Sequence, residues 1–319
     1  MSRRRILLIG MDAADQALLL EGCDQGRLPT MARLQAEGAW GVVGELPGFG
    51  SGAVWPSFFT GVSPASHGRY FYRQVRPGDY EASRFGPGDF KAPAIWDYAS
   101  AEGRRVAVFD VPKASLSADV NGLQVVDWLV HGPVYKKLTT APAELADELE
   151  RAWGLDPMPQ CDRPGGRTPE QHAAMRDLLV ERVRTREEST LHYLEKEDWD
   201  LFVTVFGEPH CVGHQSWHVR DPEHPAYDAA AHELASDPVM DVYEAIDTSI
   251  GRMLDAVDED VTVLVVSVTG MGANYTGNYV LDEVLRRLEG QRKTVSYDWL
   301  GRAKRLAKRI LPTEIRRRY

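Results

Sequence analysis

The sequence predicts an α/β fold with a doubly wound, mostly parallel sheet and helices on both of its faces. Short, continuously apolar runs such as Ile6–Ile9, Leu201–Phe206 and Val261–Ser267 are typical of strands that are covered on both faces. These runs alternate with segments that carry helical periodicity or helix start and stop signals. We expect Val261–Ser267 to be the most deeply buried strand.

The amino-acid composition indicates which class of protein this is. The chain has 319 residues, of which 43% are hydrophobic and 26% charged, as in a globular domain. No apolar run approaches the ~20 residues of a membrane span, and the apolar part of the N-terminus is too short for a secretory signal. The three cysteines, Cys23, Cys161 and Cys211, form no paired framework. We therefore expect a cytoplasmic protein without a transmembrane segment.

Charge is distributed unevenly. The net charge is −10, yet residues 291–319 hold ten Lys/Arg against Asp298 and Glu314, a local charge of +8 that leaves −18 elsewhere. An acidic body argues against a nucleic-acid partner. Residues 298–311 have the pattern of a basic amphipathic helix, which suits an anionic membrane surface or an acidic partner. The same pattern fits a peripheral helix that packs on the acidic body.

Local signals place further elements along the chain. Leu28–Gly38 has a proline at the first helical position and a glycine at the stop, which predicts a helix. The next segment, Ala39–Leu46, is predicted as a strand. The other predicted helices are Gln16–Leu20, Ala94–Ala101, Pro142–Trp153, Thr168–Lys196, a helix from Glu208, Pro238–Val257 and Asn278–Leu288, and the other predicted strands are Arg105–Asp110 and Leu123–Val126.

These elements form one core at residues 1–290, followed by the basic tail at 291–319. Two insertions interrupt the core. Residues 69–91 are rich in Arg, Tyr, Gly and Pro without a clear period, and we expect a loop on the substrate side. Residues 141–197 form a helical insertion, whose long helix opens with the capping-box pattern Thr168-Pro-Glu-Gln171.

Polar residues follow two of the predicted strands. Asp12 stands at the carboxyl end of the first strand, where open α/β sheets bind ligands. Ser51 lies between two glycines just before a predicted helix, so its hydroxyl is suited to meet a phosphate near free helix amides. Alternatively, the segment is an ordinary Gly/Ser turn with Ser51 as the helix N-cap.

Histidines are concentrated after the strand Leu201–Phe206. On a helix from Glu208, His210 and His214 lie one turn apart and could hold one divalent metal ion. His218 shares their face but is roughly 12 Å from His210, too far to bind the same ion. The alternative is a polar surface turn with hydrogen-bonded histidines.

Together, these strand ends resemble the alkaline phosphatase superfamily, in particular its type I phosphodiesterase/nucleotide pyrophosphatase branch. The segment GMDAAD from Gly10 is similar to that branch's opening G-x-D-G/A-A-D motif. LPTMARLQAEG from Leu28 is similar to its "LPNLARL…EG" helix. The block from Ser51 through Trp55 and Ser57 to His67 and Gly68 is similar to its T/S-x-P-x-W-x-S…TG…P…HG block. The absence of the Cys/Ser-x-Pro-x-Arg signature argues against a sulfatase.

The resemblance implies a phosphoester or phosphodiester hydrolase with a small phosphorylated substrate or nucleotide. Ser51 aligns with the family's nucleophile. Two metal ions, usually zinc, would clamp the reacting phosphoryl group, one held by Asp12 and Ser51 and the other by His210 and His214. On the substrate side of this site we place Gly52, Trp55 and His218.

The sequence departs from the family pattern at one motif. Where the family has Ser-Asp-His-Gly-Met-Gly, this chain reads SVTGMG, so Val268 and Thr269 replace an aspartate and a histidine. No histidine follows His232, so the family's last metal ligand has no counterpart. We expect one divalent metal at most, bound by His210 and His214 with Glu208 or Asp12, and weak or repurposed hydrolase activity. The alternative is a catalytically inactive relative that binds a ligand or partner.

Overall fold

A computed structural model describes residues 4–44, 48–76, 78, 80–84, 86, 89, 92–132, 134–135, 137–158, 167–273 and 280–290. The chain divides into two compact units, Met1–Asn274 and Tyr275–Tyr319. The strands are β1 Ile6–Met11, β2 Arg73–Val75, β3 Ala82–Arg84, β4 Val106–Phe109, β5 Gly122–Val126, β6 Thr139–Ala141, β7 Leu201–Phe206 and β8 Thr262–Val266. The helices are α1 Gln16–Asp24, α2 Pro29–Glu37, α3 Ser51–Thr60, α4 Pro64–His67, α5 Ile95–Ala101, α6 Leu145–Trp153, α7 Pro169–Lys196, α8 Glu208–Arg220, α9 Ala229–Ala235, α10 Pro238–Asp255 and α11 Val280–Leu288.

The main sheet confirms the predicted doubly wound, mostly parallel topology. Its six strands lie in the order β6-β5-β4-β7-β1-β8, and β6 alone among them is antiparallel to its neighbour. In the centre, Gly10 of β1 pairs with Val205 of β7 and Val266 of β8. The carboxyl ends of these strands therefore meet at one edge.

Alternate residues of the central strands face two separate apolar layers. Leu7 and Ile9 of β1 pack in a large cluster with residues of α1, α7, α8 and α10. Leu8 packs on the opposite face with residues of α3 and α5, including Trp55 and Trp96. Because successive strand residues point to opposite faces, full burial of both sets requires helices on both sides of the sheet. The result is a three-layer α/β fold.

Two strand predictions were wrong. Residues 39–44 form no strand; they are extended and exposed, and 45–46 lie outside the described residues. Val261–Ser267 does contain β8, but β8 is an edge strand of the described sheet, and Leu264 is 44% exposed. An apolar run indicates a tendency to form a strand, but it does not specify how many strands lie beside it. In the described sheet β8 has a neighbouring strand on one side alone, so part of it is exposed.

Helix signals were more reliable than strand signals. α2 begins at Pro29 and ends before Gly38, as predicted. α7 has the predicted capping box, in which Thr168 caps the amide of Gln171. The expected loop at 69–91 contains an unpredicted antiparallel pair, β2 and β3. Across the described ranges, no helix combines the length and apolar character needed to cross a membrane.

The second unit contains α11, which lies within the predicted helix Asn278–Leu288. The amphipathic segment 298–311 lies outside the described residues.

Candidate functional site at the carboxyl edge of the sheet

Asp12 is the centre of the candidate site. It follows β1, and its amide donates to Phe206 O at the end of β7 (2.8 Å). Its carboxylate is only 4% exposed and accepts a hydrogen bond from Trp55 Nε1 at 2.7 Å. The other oxygen lies 3.0 Å from His210 Nδ1. Gly10 makes room for the indole, since a Cβ there would lie 2.7 Å from Trp55 Cη2. Helices α3 and α8 therefore converge on the carboxylate that follows β1.

The surroundings of Asp12 keep it ionised. Burial penalises its charged form, but hydrogen bonds from His210 and Trp55 and the nearby charge of Lys113 outweigh that penalty and hold the pKa of Asp12 below its usual range. The site therefore has a fixed anion at neutral pH.

Three imidazoles lie beside Asp12. The rings of His210 and His214 on α8 are 4.6 Å apart, as their one-turn spacing predicts. His131, from the loop after β5, stacks on His210 at 4.0 Å and lies 6.0 Å from His214. Met271, from the segment after β8, packs against Gly213, where a Cβ would lie 2.6 Å from its Cγ. Thus the histidine turn of α8 contacts the loops that follow both β5 and β8.

α3 brings the predicted nucleophile position to this edge. Ser51 is the first residue of α3, one turn before Trp55, and Gly50 rather than Ser51 is the N-cap. Gly52 is buried against backbone: a Cβ there would lie 2.6 Å from Phe71 C. Because Gly52 has no Cβ, α3 packs closely against the backbone of Phe71. Trp55 is only 2% exposed and holds the Asp12 carboxylate by its hydrogen bond from within the core. The side chain of Ser51 lies outside the described residues.

Glu208 lies apart from the histidine pair. It is 1% exposed, and its Oε1 forms an ion pair with Arg182 Nε of α7 at 3.2 Å. Burial raises the pKa of Glu208 in spite of the neighbouring Arg182 and Arg186. Glu208, which the sequence predicted as a metal ligand, therefore forms a buried ion pair that joins α7 to the start of α8.

His218 belongs to a second histidine group. Its ring is 5.1 Å from that of His172 on α7 and 6.0 Å from that of His224. His172 is buried, and its Nδ1 lies 3.0 Å from Ser216 Oγ. Burial, with His218 and Arg167 nearby, lowers the pKa of His172 to about 4. His218 therefore contacts His172 and His224.

Val268 fills an apolar position at the same edge. It is 3% exposed and packs in the cluster that contains Trp55, Val111 and Ala114. Ser267 Oγ donates to Ala14 O (3.0 Å), which fixes the segment after β8 against the segment after β1. Val268 is therefore enclosed by apolar side chains in the cluster that contains Trp55, a hydrogen-bond partner of Asp12.

These donors do not fit a two-metal centre. Asp12 is engaged by Trp55 and His210, and Val268 provides no ligand atom. Over the ranges that the structure describes, no three His, Cys, Asp or Glu side chains are arranged to hold a metal ion. A catalytic zinc generally needs three protein ligands.

A cavity of about 810 Å³ lies beside this site, along the free side of β8. Its lining includes Asp15, Thr269 and Met271, together with the extended segment at residues 39–43. Part of the apolar segment 39–46, which was predicted as a strand, therefore lines this cavity.

The fold and the site together define a three-layer α/β protein of the alkaline phosphatase type, with its polar group at the carboxyl edge of the sheet. The family model for type I phosphodiesterase / nucleotide pyrophosphatase matches residues 6–314. The chain belongs to this family, whose members are phosphoester hydrolases and generally depend on divalent metals. No curated protein sequence matches the chain.

Solved structures share the fold. Phosphonoacetate hydrolase from Sinorhizobium meliloti 1021, in complexes with phosphonoacetate and with phosphonoformate, aligns with a TM-score of 0.52 and 17% identity. The alignment covers 91% of this chain and 63% of that enzyme, so the chain spans less than two thirds of its length. A proposed sulfatase from Bacteroides thetaiotaomicron VPI-5482 aligns at a TM-score of 0.45 with 11% identity, over 86% of this chain and 61% of the other.

Proposed function

We propose that this chain is a phosphoester or phosphodiester hydrolase of low turnover, with Ser51 as its nucleophile and a small phosphorylated compound or nucleotide as its substrate. The observation that carries the proposal is the convergence of His210 and Trp55 on Asp12, because Trp55 lies one helical turn after Ser51, the first residue of α3. Free amides and the dipole at a helix N-terminus favour a phosphoryl group there. Ser51 begins α3, so its hydroxyl would meet such a group.

In this reaction the Ser51 oxygen attacks phosphorus and the ester oxygen leaves. With a phosphomonoester a phosphoryl-serine forms and water then releases phosphate; with a phosphodiester the serine carries the phosphoryl group with its remaining ester, and water releases the phosphomonoester. Either release restores the hydroxyl. The imidazoles of His131, His210 and His214 are the nearby groups that could accept or return the protons. A bound divalent metal would polarise the phosphoryl oxygens.

We infer that any such metal, zinc by preference, binds in one equivalent at most, at the His210/His214 pair. Val268 and the partners of Asp12 support this count, because within the part of the chain that the structure describes they leave no second set of ligands. Zinc analysis of dialysed protein checks the count, and two tightly bound equivalents per chain would contradict it.

A screen of phosphodiesters and nucleotides tests the proposed reaction, with Ser51→Ala as the key variant. Turnover by the wild type should be lost in Ser51→Ala and retained in Ser63→Ala, which changes an exposed serine whose side chain makes no cap hydrogen bond. Turnover that survives Ser51→Ala would refute the assigned nucleophile.

The second candidate function is that of a non-catalytic relative that binds a phosphorylated ligand or a protein partner. The apolar closure at Val268 favours it, because the charge stabilisation that a second metal supplies is worth several kcal/mol. In that case no phosphoester turns over, and ligand binding survives Ser51→Ala.

Location and further partners extend the proposal. Cys23 is a free thiol, which supports a cytoplasmic location. The basic segment 298–311 remains a candidate contact for an acidic partner or a membrane surface, and the acidic body supports a role without nucleic acid.

A further inference from the structure

Lys113 is a cation at the edge that carries Asp12. It lies in the turn after β4, which is adjacent to β7 in the sheet. Its backbone has a φ of +66°, a left-handed conformation that is uncommon outside glycine. Its neighbours Val111 and Ala114 are buried in the cluster of Trp55 and Val268. These two anchors fix the turn on both sides of the lysine.

The ammonium of Lys113 lies close to the imidazole loop. Its Nζ is 3.5 Å from Gly132 O, the residue next to His131. A Cβ on Gly132 would lie 2.9 Å from Nζ, so the glycine leaves room for the ammonium. The Lys113 carbonyl accepts a hydrogen bond from Arg69 Nη1 at 3.3 Å. The lysine is thus held between two loops of the candidate site.

The charge around Lys113 is positive although the protein as a whole is acidic. Burial lowers the pKa of Lys113, the nearby charges of Asp12 and Asp127 oppose that shift, and Arg69 and Arg84 add to it. With Lys113 itself, they comprise three cations and two anions, a local charge of +1. Among the described residues Lys113 forms no ion pair, and its hydrogen bond to Gly132 O is long. An ammonium has three donors, so it can bind a further oxyanion.

We propose that Lys113 binds the phosphoryl oxygens of the ligand and supplies positive charge where the Asp–His metal motif of the family has become Val268-Thr269. This inference rests on the proposed function and names the anion-binding residue of that site. An ammonium at this edge neutralises a phosphoryl anion without a metal, because ion pairs between a cation and a phosphate form charge-assisted hydrogen bonds. The Gly132 carbonyl accepts one hydrogen bond from the ammonium and leaves its remaining donors for the ligand.

Inorganic phosphate is the probe, with its dissociation constant measured by calorimetry on the full chain. Lys113→Met should weaken binding by about tenfold or more, since it removes one charged contact. Lys113→Arg should retain part of the affinity. Lys137→Met is the matched control, because Lys137 is exposed, and its affinity should equal that of the wild type. Lys113→Gln serves in place of Lys113→Met if the latter does not fold.

Wild-type affinity for phosphate in the Lys113→Met or Lys113→Gln protein would overturn the proposal, as would a wild-type protein that binds no phosphate. The test is independent of turnover. Loss of phosphate binding in Lys113→Met, together with retention in Ser51→Ala, supports the anion site even if no ester is hydrolysed. Conversely, Ser51-dependent turnover with an unchanged Michaelis constant in Lys113→Met would leave the hydrolase standing and remove the lysine from the site.

Discussion

Val268→Asp tests the claim that hydrocarbon has replaced a metal ligand. Val268 is 3% exposed among Trp55, Val111 and Ala114, so the change removes buried apolar contacts worth about 1–2 kcal/mol. It also buries a carboxylate without a partner, at a cost of about 3–5 kcal/mol. We expect the free energy of unfolding at pH 8, without metal, to fall by roughly 4–7 kcal/mol.

Urea unfolding followed by circular dichroism measures this loss. Val268→Asn is the matched control, because asparagine has nearly the same shape as aspartate but no charge. This variant should lose less stability than Val268→Asp. Protonation removes the charge of the aspartate, so the difference between the two variants should shrink at pH 5. If Val268→Asp were as stable as Val268→Asn at pH 8 without metal, the apolar closure of this position would be refuted.

The double variant Val268→Asp, Thr269→His restores the family's pair of residues. Zinc that binds the folded state should then raise the free energy of unfolding, by about 2.7 kcal/mol at a zinc concentration 100-fold above its dissociation constant. Turnover should rise as well. The wild type, treated with the same zinc, is the control, and an equal gain in both proteins would contradict the assignment.

Three further predictions concern the buried residues His172, Asp110 and Gly52. The pKa of His172 is about 4 in the folded state and about 6.5 in the unfolded state. The free energy of unfolding should therefore fall as the pH drops from 6.5 towards 4, by about 2 kcal/mol at pH 5. His172→Gln should remove this loss in urea titrations. Asp110→Asn leaves the buried Arg186 without its ion pair and should cost about 3–5 kcal/mol, most of it recovered in a double variant with Arg186→Met. Gly52→Ala places a Cβ 2.6 Å from Phe71 C and should cost about 1–3 kcal/mol, whereas Gly41→Ala, at an open position, should be neutral in the same assay.

The sequence was most informative where a single physical cause decides the structure. β1 and β7 are apolar along their whole length because both faces are covered, and α2 and α7 carry explicit start signals. The one-turn spacing of His210 and His214 follows from helix geometry, and the strand-end position of Asp12 places it at the ligand edge.

Other features depend on contacts between distant segments. His131 is a single histidine in a loop, and its place against His210 is set by buried hydrogen bonds from Trp128 and Leu129 to Asp110, which no local pattern encodes. The partner of Glu208, Arg182, is on another helix. The exposure of β8 likewise depends on which strand lies beside it, which an apolar run does not specify.

Direct detection of a phosphoryl-enzyme intermediate tests the central claim most directly. The wild-type protein is mixed with a slowly hydrolysed phosphodiester or nucleotide, quenched in acid and analysed by peptide mass spectrometry. The account predicts one adduct on Ser51 that disappears in Ser51→Ala and persists in Ser63→Ala: a phosphoryl group from a monoester, or a phosphoryl group with its remaining ester from a diester. A phosphoryl group on any other residue, or turnover of the same substrate without a covalent intermediate on Ser51, would contradict it.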